Sequence, residues 1–223
     1  MIVQWCLKGL RLESDAEADR ILDSHCGLLS NLFRGQGRVL VGEIGARLTH
    51  GEVDRHVNHF GDIDQQSGKA YSEMSPFISL TCGTVERLPA LATNRAHRAL
   101  QTALWFGSDF GRTSRAYVFV CWVLVAPRPT PEVEAVAEEV RDLTQYRRYS
   151  AFQTEGEILA KVRVPDNHLR GYEVWDRGVP SSRTSFGLIP GTGSVRRWTR
   201  SGMRVNPRFV DPTVLTNVRE LIQ

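Results

Sequence analysis

The run Ala116-Tyr-Val-Phe-Val-Cys-Trp-Val-Leu-Val-Ala126 most restricts what this chain can fold into. It carries no charged side chain and is rich in β-branched and aromatic residues, which suit a pleated, covered surface. It falls well short of the roughly 20 apolar residues that a membrane-spanning helix needs. It therefore reads as a buried strand. Pro127-Arg-Pro-Thr-Pro131 closes it, because proline cannot donate to a strand ladder. With 223 residues, 41% hydrophobic and 24% charged, the chain can build one sizeable core around such a strand, and its composition is that of a soluble globular protein.

No segment is apolar enough to span a membrane as a helix, and the first ten residues lack the pattern of a secretory signal peptide. The expectation is a cytoplasmic protein, or one delivered to a target cell by a route that needs no signal peptide. Cys6, Cys26, Cys82 and Cys121 have no C-x-x-C spacing and read as reduced thiols. The net charge of +3 is too small to argue for nucleic acid by itself, but it is unevenly spread. Beyond Gly178 stand Arg183, Arg196, Arg197, Arg200, Arg204, Arg208 and Arg219 against only Asp211 and Glu220.

Helical spacing of Leu10, Leu12, Ala16, Ala18, Ile21 and Leu22 among acidic residues predicts that residues 1–30 are largely helical. Residues 84–106 and the acidic stretch 132–143 also read as helices, and 169–175 as a strand. The tail from 178 is rich in Gly, Pro and Ser and ends in a short helix over 213–222.

Three short features carry chemistry. Arg34, after Leu32-Phe33 and before Gly35, reads as an arginine at a strand end whose bidentate fork suits a pyrophosphate or carboxylate. In Pro76-Phe-Ile-Ser79-Leu-Thr81 the two hydroxyls share one face of a strand and can bind a ribose or order a carboxylate. Glu155-Gly-Glu157 opens a β-rich run, and its two carboxylates project together, an arrangement that is costly unless a site uses it. His56-x-x-His59 has a metal-compatible spacing, but no further carboxylate or cysteine completes a set, so no metal site is expected.

The order of these features resembles the mono-ADP-ribosyltransferases of the Arg–Ser–Glu class. Leu32-Phe-Arg34-Gly35 resembles that family's aromatic-Arg-Gly strand, Phe77-Ile-Ser79-Leu-Thr81 its aromatic-x-Ser-Thr-Ser motif with two departures, and Glu155-Gly-Glu157 its E-x-E. Glu157-Ile-Leu-Ala-Lys-Val-Arg-Val-Pro165 is similar in spacing to the catalytic-glutamate strand of the pertussis-toxin type, although Glu155 stands where that type has glutamine. The resemblance covers about residues 30–175. It implies an α+β fold with an ADP-ribosyltransferase-like core of two packed, mostly antiparallel sheets and flanking helices. The expected organisation is a catalytic domain over residues 1–178, with an N-terminal helical segment, and a basic extension over 179–223 packed on it or flexibly attached.

It further implies NAD as substrate, Glu157 as the catalytic carboxylate and Glu155 facing the acceptor. Arg34, Gly35, Ser79 and Thr81 would bind the dinucleotide, with Tyr149, Phe152 and Gln153 in a substrate-recognition loop. His59 is a further candidate for an active-site histidine. The E-x-E pattern favours a protein arginine as acceptor. Two other readings stand beside this one. Gln153-Thr-Glu155 is also a Q-x-E and the tail is basic, which fits a nucleic-acid acceptor. A catalytically inactive fold serving as a binding module is the other. An inhibitor or antitoxin protein is an expected partner for a toxin- or effector-like enzyme.

Overall fold

Ten consecutive uncharged residues of the apolar run, 116–125, lie in strand β4 (Arg115–Val125), the middle of a computed structural model that describes residues 2–36, 47–82, 99–125, 137–139, 157–178 and 198–214. One edge of β4 pairs antiparallel with β1 (Ile2–Leu10) over nine residues, from Ile2↔Val125 to Leu10↔Tyr117. The other edge pairs with β8 (Leu169–Arg177), and β8 with the edge strand β9 (Trp198–Val205). A second group of strands joins β3 (Phe77–Thr81) to β6 (Glu157–Lys161) and β6 to β5 (Ala137–Glu139). The groups meet twice, at Leu7↔Thr81 and at Val125↔Ala137, so the seven-stranded sheet curls back on itself. A two-stranded sheet, β2 (Leu28–Leu29) with β7 (Arg163–Val164), completes an α+β, mostly antiparallel architecture. That is the fold class the sequence led us to expect.

Side-chain alternation explains the curl. Cys6, Tyr117, Phe119, Cys121 and Val123 from one group face Ile78, Leu80, Ile158 and Ala160 from the other, forming the largest core. The alternate residues of β3 and β6 point the opposite way. Phe77 and Leu159 pack under Leu48, Val53 and Val57 in a second cluster. Helix α1 (Asp15–Asp23) closes the main core with Ala18 and Leu22. Its first turn is acidic, which complements the positive end of the helix dipole. Helix α2 (Asn31–Gln36), helix α3 (His50–Asn58) and the single turn α4 (Tyr71–Met74) lie between β2 and β3. Helix α5 is described over 99–107 and packs Ala103 and Leu104 against Ala116 and Val118 of β4.

Three local expectations are corrected. The helical pattern before residue 30 begins only at Asp15; residues 2–10 are a strand, because the β4 edge offers them a full ladder and Gln4 and Cys6 are buried. Arg34 is not at a strand end but inside α2. Within the acidic stretch, residues 137–139 form a strand, since the open edge of β6 recruits them despite their helical spacing. Beyond these, residues 198–205 of the basic tail form the sheet's edge strand, with Trp198 buried beside Trp175.

Gly9 is set by contact rather than conformation. A Cβ there would lie 1.7 Å from the carbonyl oxygen of Ala103, so β1 and α5 approach backbone to backbone. Gly9→Ala must push α5 outward, and we expect it to lower stability by ~1–3 kcal/mol. Urea unfolding of the two proteins checks this; equal midpoints would contradict the close approach.

Candidate functional site

Directly opposed residues on neighbouring antiparallel strands share a face. The pairs Leu7↔Thr81 and Thr81↔Glu157 therefore form one row across β1, β3 and β6, and Ser79 lies two residues from Thr81 on the same face. This row floors a cleft of about 270 Å³. One wall is α3 and the short turn beyond it, contributing His56, Val57 and Phe60; the other is α5, contributing Thr102, Ala103 and Phe106. Phe60 and Phe106 are 42% and 44% exposed, leaving two aromatic rings at the mouth. Glu157 is buried at the floor.

The walls follow from local sequence. Thr49-His-Gly-Glu52 starts α3 in the pattern of a capping box, with the Glu52 N–H donating to the Thr49 hydroxyl at 3.2 Å. From that start, Val53, His56, Val57 and Phe60 follow at helical spacing and face the sheet. His56 is buried, with its ring edge-on to Phe60 and Phe77. Its Nδ1 lies 2.6 Å from Ser75 Oγ and its Nε2 2.7 Å from Ser79 Oγ. Burial, reinforced by the Lys8 charge, lowers its pKa from 6.5 to about 3, so the ring is neutral at ordinary pH.

Among the described residues, Lys8 is the cation that lines the cleft, and it is half-buried. Burial lowers its pKa to about 8; the Glu157 carboxylate acts in the opposite sense, and the Arg34 charge adds to the lowering. The floor is thus a carboxylate and an ammonium within electrostatic reach, lined by hydroxyls and a neutral imidazole.

Several predicted residues converge here and others do not. Ser79, Thr81 and Glu157 line the cleft together. Arg34 is exposed, and its Nη2 donates to the Leu29 carbonyl at 3.3 Å; Gly35 lies in the same helix. His59 sits at the end of α3 with its Nδ1 3.0 Å from Asp62 Oδ2, half exposed and away from the cleft lining. Glu155, Tyr149, Phe152 and Gln153 fall outside the described residues. Among the described residues no group of His, Cys, Asp and Glu could hold a metal ion, and no helix is long and apolar enough to cross a membrane.

Sequence reasoning missed Lys8 and His56. A lysine in the otherwise apolar Trp5-Cys-Leu-Lys8-Gly9-Leu10 was the trace of the first, hidden by the helical reading of that segment. For the second, the apolar face Val53/Val57 singled out His56 over His59.

No family model and no curated protein sequence matches the chain. Solved structures do superpose on it at low identity. EcPltA aligns with a TM-score of 0.48 and 13% identity over 94% of this chain and 89% of that chain. A mutant of the E. coli heat-labile enterotoxin aligns with a TM-score of 0.38 and 16% identity over 92% of this chain and 77% of that chain. Full-length CARDS toxin aligns with a TM-score of 0.40 and 16% identity over 94% of this chain but only 30% of the toxin. At these identities and scores, superposition does not by itself assign an activity.

His56 gives the site a pH signature. Below about 6.5 the unfolded chain protonates this ring, while the folded chain resists until about pH 3. The unfolded state then binds more protons, so the contribution is fully present above pH 6.5 and is lost as pH falls. At pH 5 the loss amounts to about 2 kcal/mol. His56→Gln should lose correspondingly less stability between pH 7 and 5 than the parent in urea titrations.

Proposed function

We propose that this protein is an enzyme that cleaves the nicotinamide–ribose bond of NAD and transfers ADP-ribose to a protein side chain, with arginine as the favoured acceptor. The observation that carries the reading is the convergence of Ser79, Thr81 and Glu157 on one cleft beside a cation. The Arg–Ser–Glu resemblance asked for such a set from segments far apart in sequence. The spacing from Glu157 to Pro165 supports placing the chain with the pertussis-toxin type of that class.

The chemistry follows from the geometry. As the C1′–N bond breaks, its electron pair moves to the nicotinamide nitrogen and neutralises the pyridinium, while positive charge grows on the ribose, as in glycoside cleavage. The buried Glu157 carboxylate stabilises that charge, and in a dry site such stabilisation is strong. Ser79 and Thr81 hold the ribose hydroxyls. Lys8 takes the part first given to Arg34, drawing in the diphosphate, because it is the cation that lines the cleft. Phe60 and Phe106 offer faces on which a flat heteroaromatic ring can lie.

The acceptor nitrogen then bonds to C1′ and its proton passes to a nearby carboxylate. We assign that step to Glu155, and acceptor recognition to Tyr149, Phe152 and Gln153. An arginine guanidinium is a poor nucleophile while protonated, so a carboxylate that orients it and accepts the proton is needed. A nucleic-acid acceptor is the weaker reading. Three tail arginines are engaged by the body: Arg200 with Glu173, Arg204 with Asp19 and Asp23, and Arg208 with Asp166. Their charge is already matched, which reduces what they can offer to phosphates.

Incubation with labelled NAD and a cell lysate tests the proposal. We expect label on protein that neutral hydroxylamine releases; label on nucleic acid would favour the alternative acceptor, and no NAD turnover would remove the enzyme reading. Glu157→Gln should lower NAD cleavage by about 10²–10³-fold with little change in KM, as for loss of a transition-state contact. Lys8→Met should instead act mainly through KM.

A further inference from the structure

The cleft is too small to enclose a whole dinucleotide. Its volume of about 270 Å³ lies below the roughly 300–1,000 Å³ of pockets that bury a drug-sized ligand, and NAD joins two nucleosides through a diphosphate. With one ribose at Ser79, Thr81 and Glu157 on the floor, the second nucleoside has to lie beyond the mouth. Phe106 stands at that mouth and adjoins two further rings. The Phe110 ring centre lies 5.5 Å from that of Phe106, with the planes at 66°, and 6.1 Å from that of Trp105, at 76°. Trp105 is 41% and Phe110 51% exposed, so the three rings form an open corner on the surface beside the cleft.

Neither burial nor backbone preference accounts for Phe110. Asp109, Phe110 and Gly111 take consecutive left-handed conformations, with φ of 49°, 56° and 81°. Glycine enters this region freely, whereas a bulky side chain rarely does. The turn is nevertheless fixed from several directions. The Phe110 N–H donates to the Trp105 carbonyl at 2.8 Å, the Gly111 N–H to Ser108 Oγ at 3.0 Å, and Arg177 Nη1 to the Gly111 carbonyl at 2.8 Å. Strain that holds an exposed ring in place points to recognition rather than packing. The same turn supplies a cation. Arg112 is three-quarters exposed and shares the Asp109 carboxylate with Arg11, at 3.6 Å and 3.1 Å respectively, while Arg11 also pairs with Glu13. A guanidinium has five N–H donors, so this one long contact leaves most of those on Arg112 for a ligand.

We propose that Trp105, Phe106 and Phe110, with Arg112 beside them, form a nucleobase-stacking site that takes the adenine half of the dinucleotide outside the cleft. Naming NAD as the source of the base rests on the functional reading above. Aromatic rings accept a base through its π face, and a neighbouring arginine suits the phosphates that accompany it. A single strand of nucleic acid presents the same chemistry. Continuity favours NAD, because Phe106 both lines the cleft and touches Phe110. One ring set at the mouth and a second just outside it match the two flat rings of a dinucleotide.

Titration of the full chain with ADP at pH 7, by calorimetry and tryptophan fluorescence, tests this. ADP carries the base without nicotinamide, so binding is read apart from turnover. The parent should bind ADP with a saturable fluorescence change that Trp105→Phe largely removes. Trp105→Ala and Phe110→Gly should each weaken ADP about 5–150-fold, the range for one lost base stack, and Phe110→Trp should keep the parent affinity. Glycine suits the backbone at 110, so the urea midpoint of Phe110→Gly should hold. A lower midpoint with unchanged ADP affinity makes Phe110 a packing residue and overturns the proposal. A parent that binds a single-stranded oligonucleotide but not ADP overturns it in favour of nucleic acid. In turnover assays Phe110→Gly should raise KM for NAD by a similar factor with kcat nearly constant. An unmoved KM in an active enzyme overturns the adenine assignment and leaves the NAD reading intact. ADP binding that both variants weaken, in a protein that never cleaves NAD, keeps the stacking site and removes the NAD reading.

Discussion

The cleft depends on how β1 is paired. Along one edge β1 is held by nine residues of β4; along the other it touches β3 at a single registered pair, Leu7↔Thr81. That one pair draws the β3–β6 group against the β1–β4 group at a place where the two ladders diverge. Divergence opens a cavity above the sheet instead of burying a further apolar pair. Lys8 and Glu157 both line the cavity at the junction, and the Glu157 charge opposes the lowering of the Lys8 pKa by burial. Without the long β1–β4 ladder the short contact would have no fixed strand to meet, and the row Leu7–Thr81–Glu157 would not exist.

Burial of His56 and Ser75 at this junction is tolerated because each has hydrogen-bond partners. His56 is hydrogen-bonded at both ring nitrogens. Ser75 is tied to a backbone amide as well as to the ring. An orphaned buried donor or acceptor costs more than a formed hydrogen bond contributes, so such a network is stable only when nearly complete. A neutral imidazole bonded at both nitrogens stands behind Ser79 as part of the wall. On the far side, Arg47 and Arg55 hold Glu52, and the Arg55 guanidinium lies 4.5 Å from the centre of the Tyr71 ring.

The sequence was most informative where the period was short and the environment uniform. The apolar run around Cys121 could only be a buried strand, and it is β4. Ser79 and Thr81 share a face because alternation in a strand allows nothing else, and they line the cleft together. Helical spacing misled where a sheet edge competed for the same residues, as at 2–10 and 137–139. Arg34 was read as a strand-end residue from Leu32 and Phe33, which are instead the inward face of a short helix against the clusters beneath it.

By itself, then, the sequence determined that Ser79 and Thr81 point the same way and that a buried strand must sit at the centre. Those are consequences of side-chain type and of a two-residue period, both local. Only the tertiary structure decided that the cation beside Glu157 is Lys8 and not Arg34, and that His56 rather than His59 meets Ser79. Both outcomes turn on register: which residue of β1 stands opposite Thr81, and which face α3 presents to the sheet. Register between segments tens of residues apart is set by the packing of the whole core, and no local pattern encodes it.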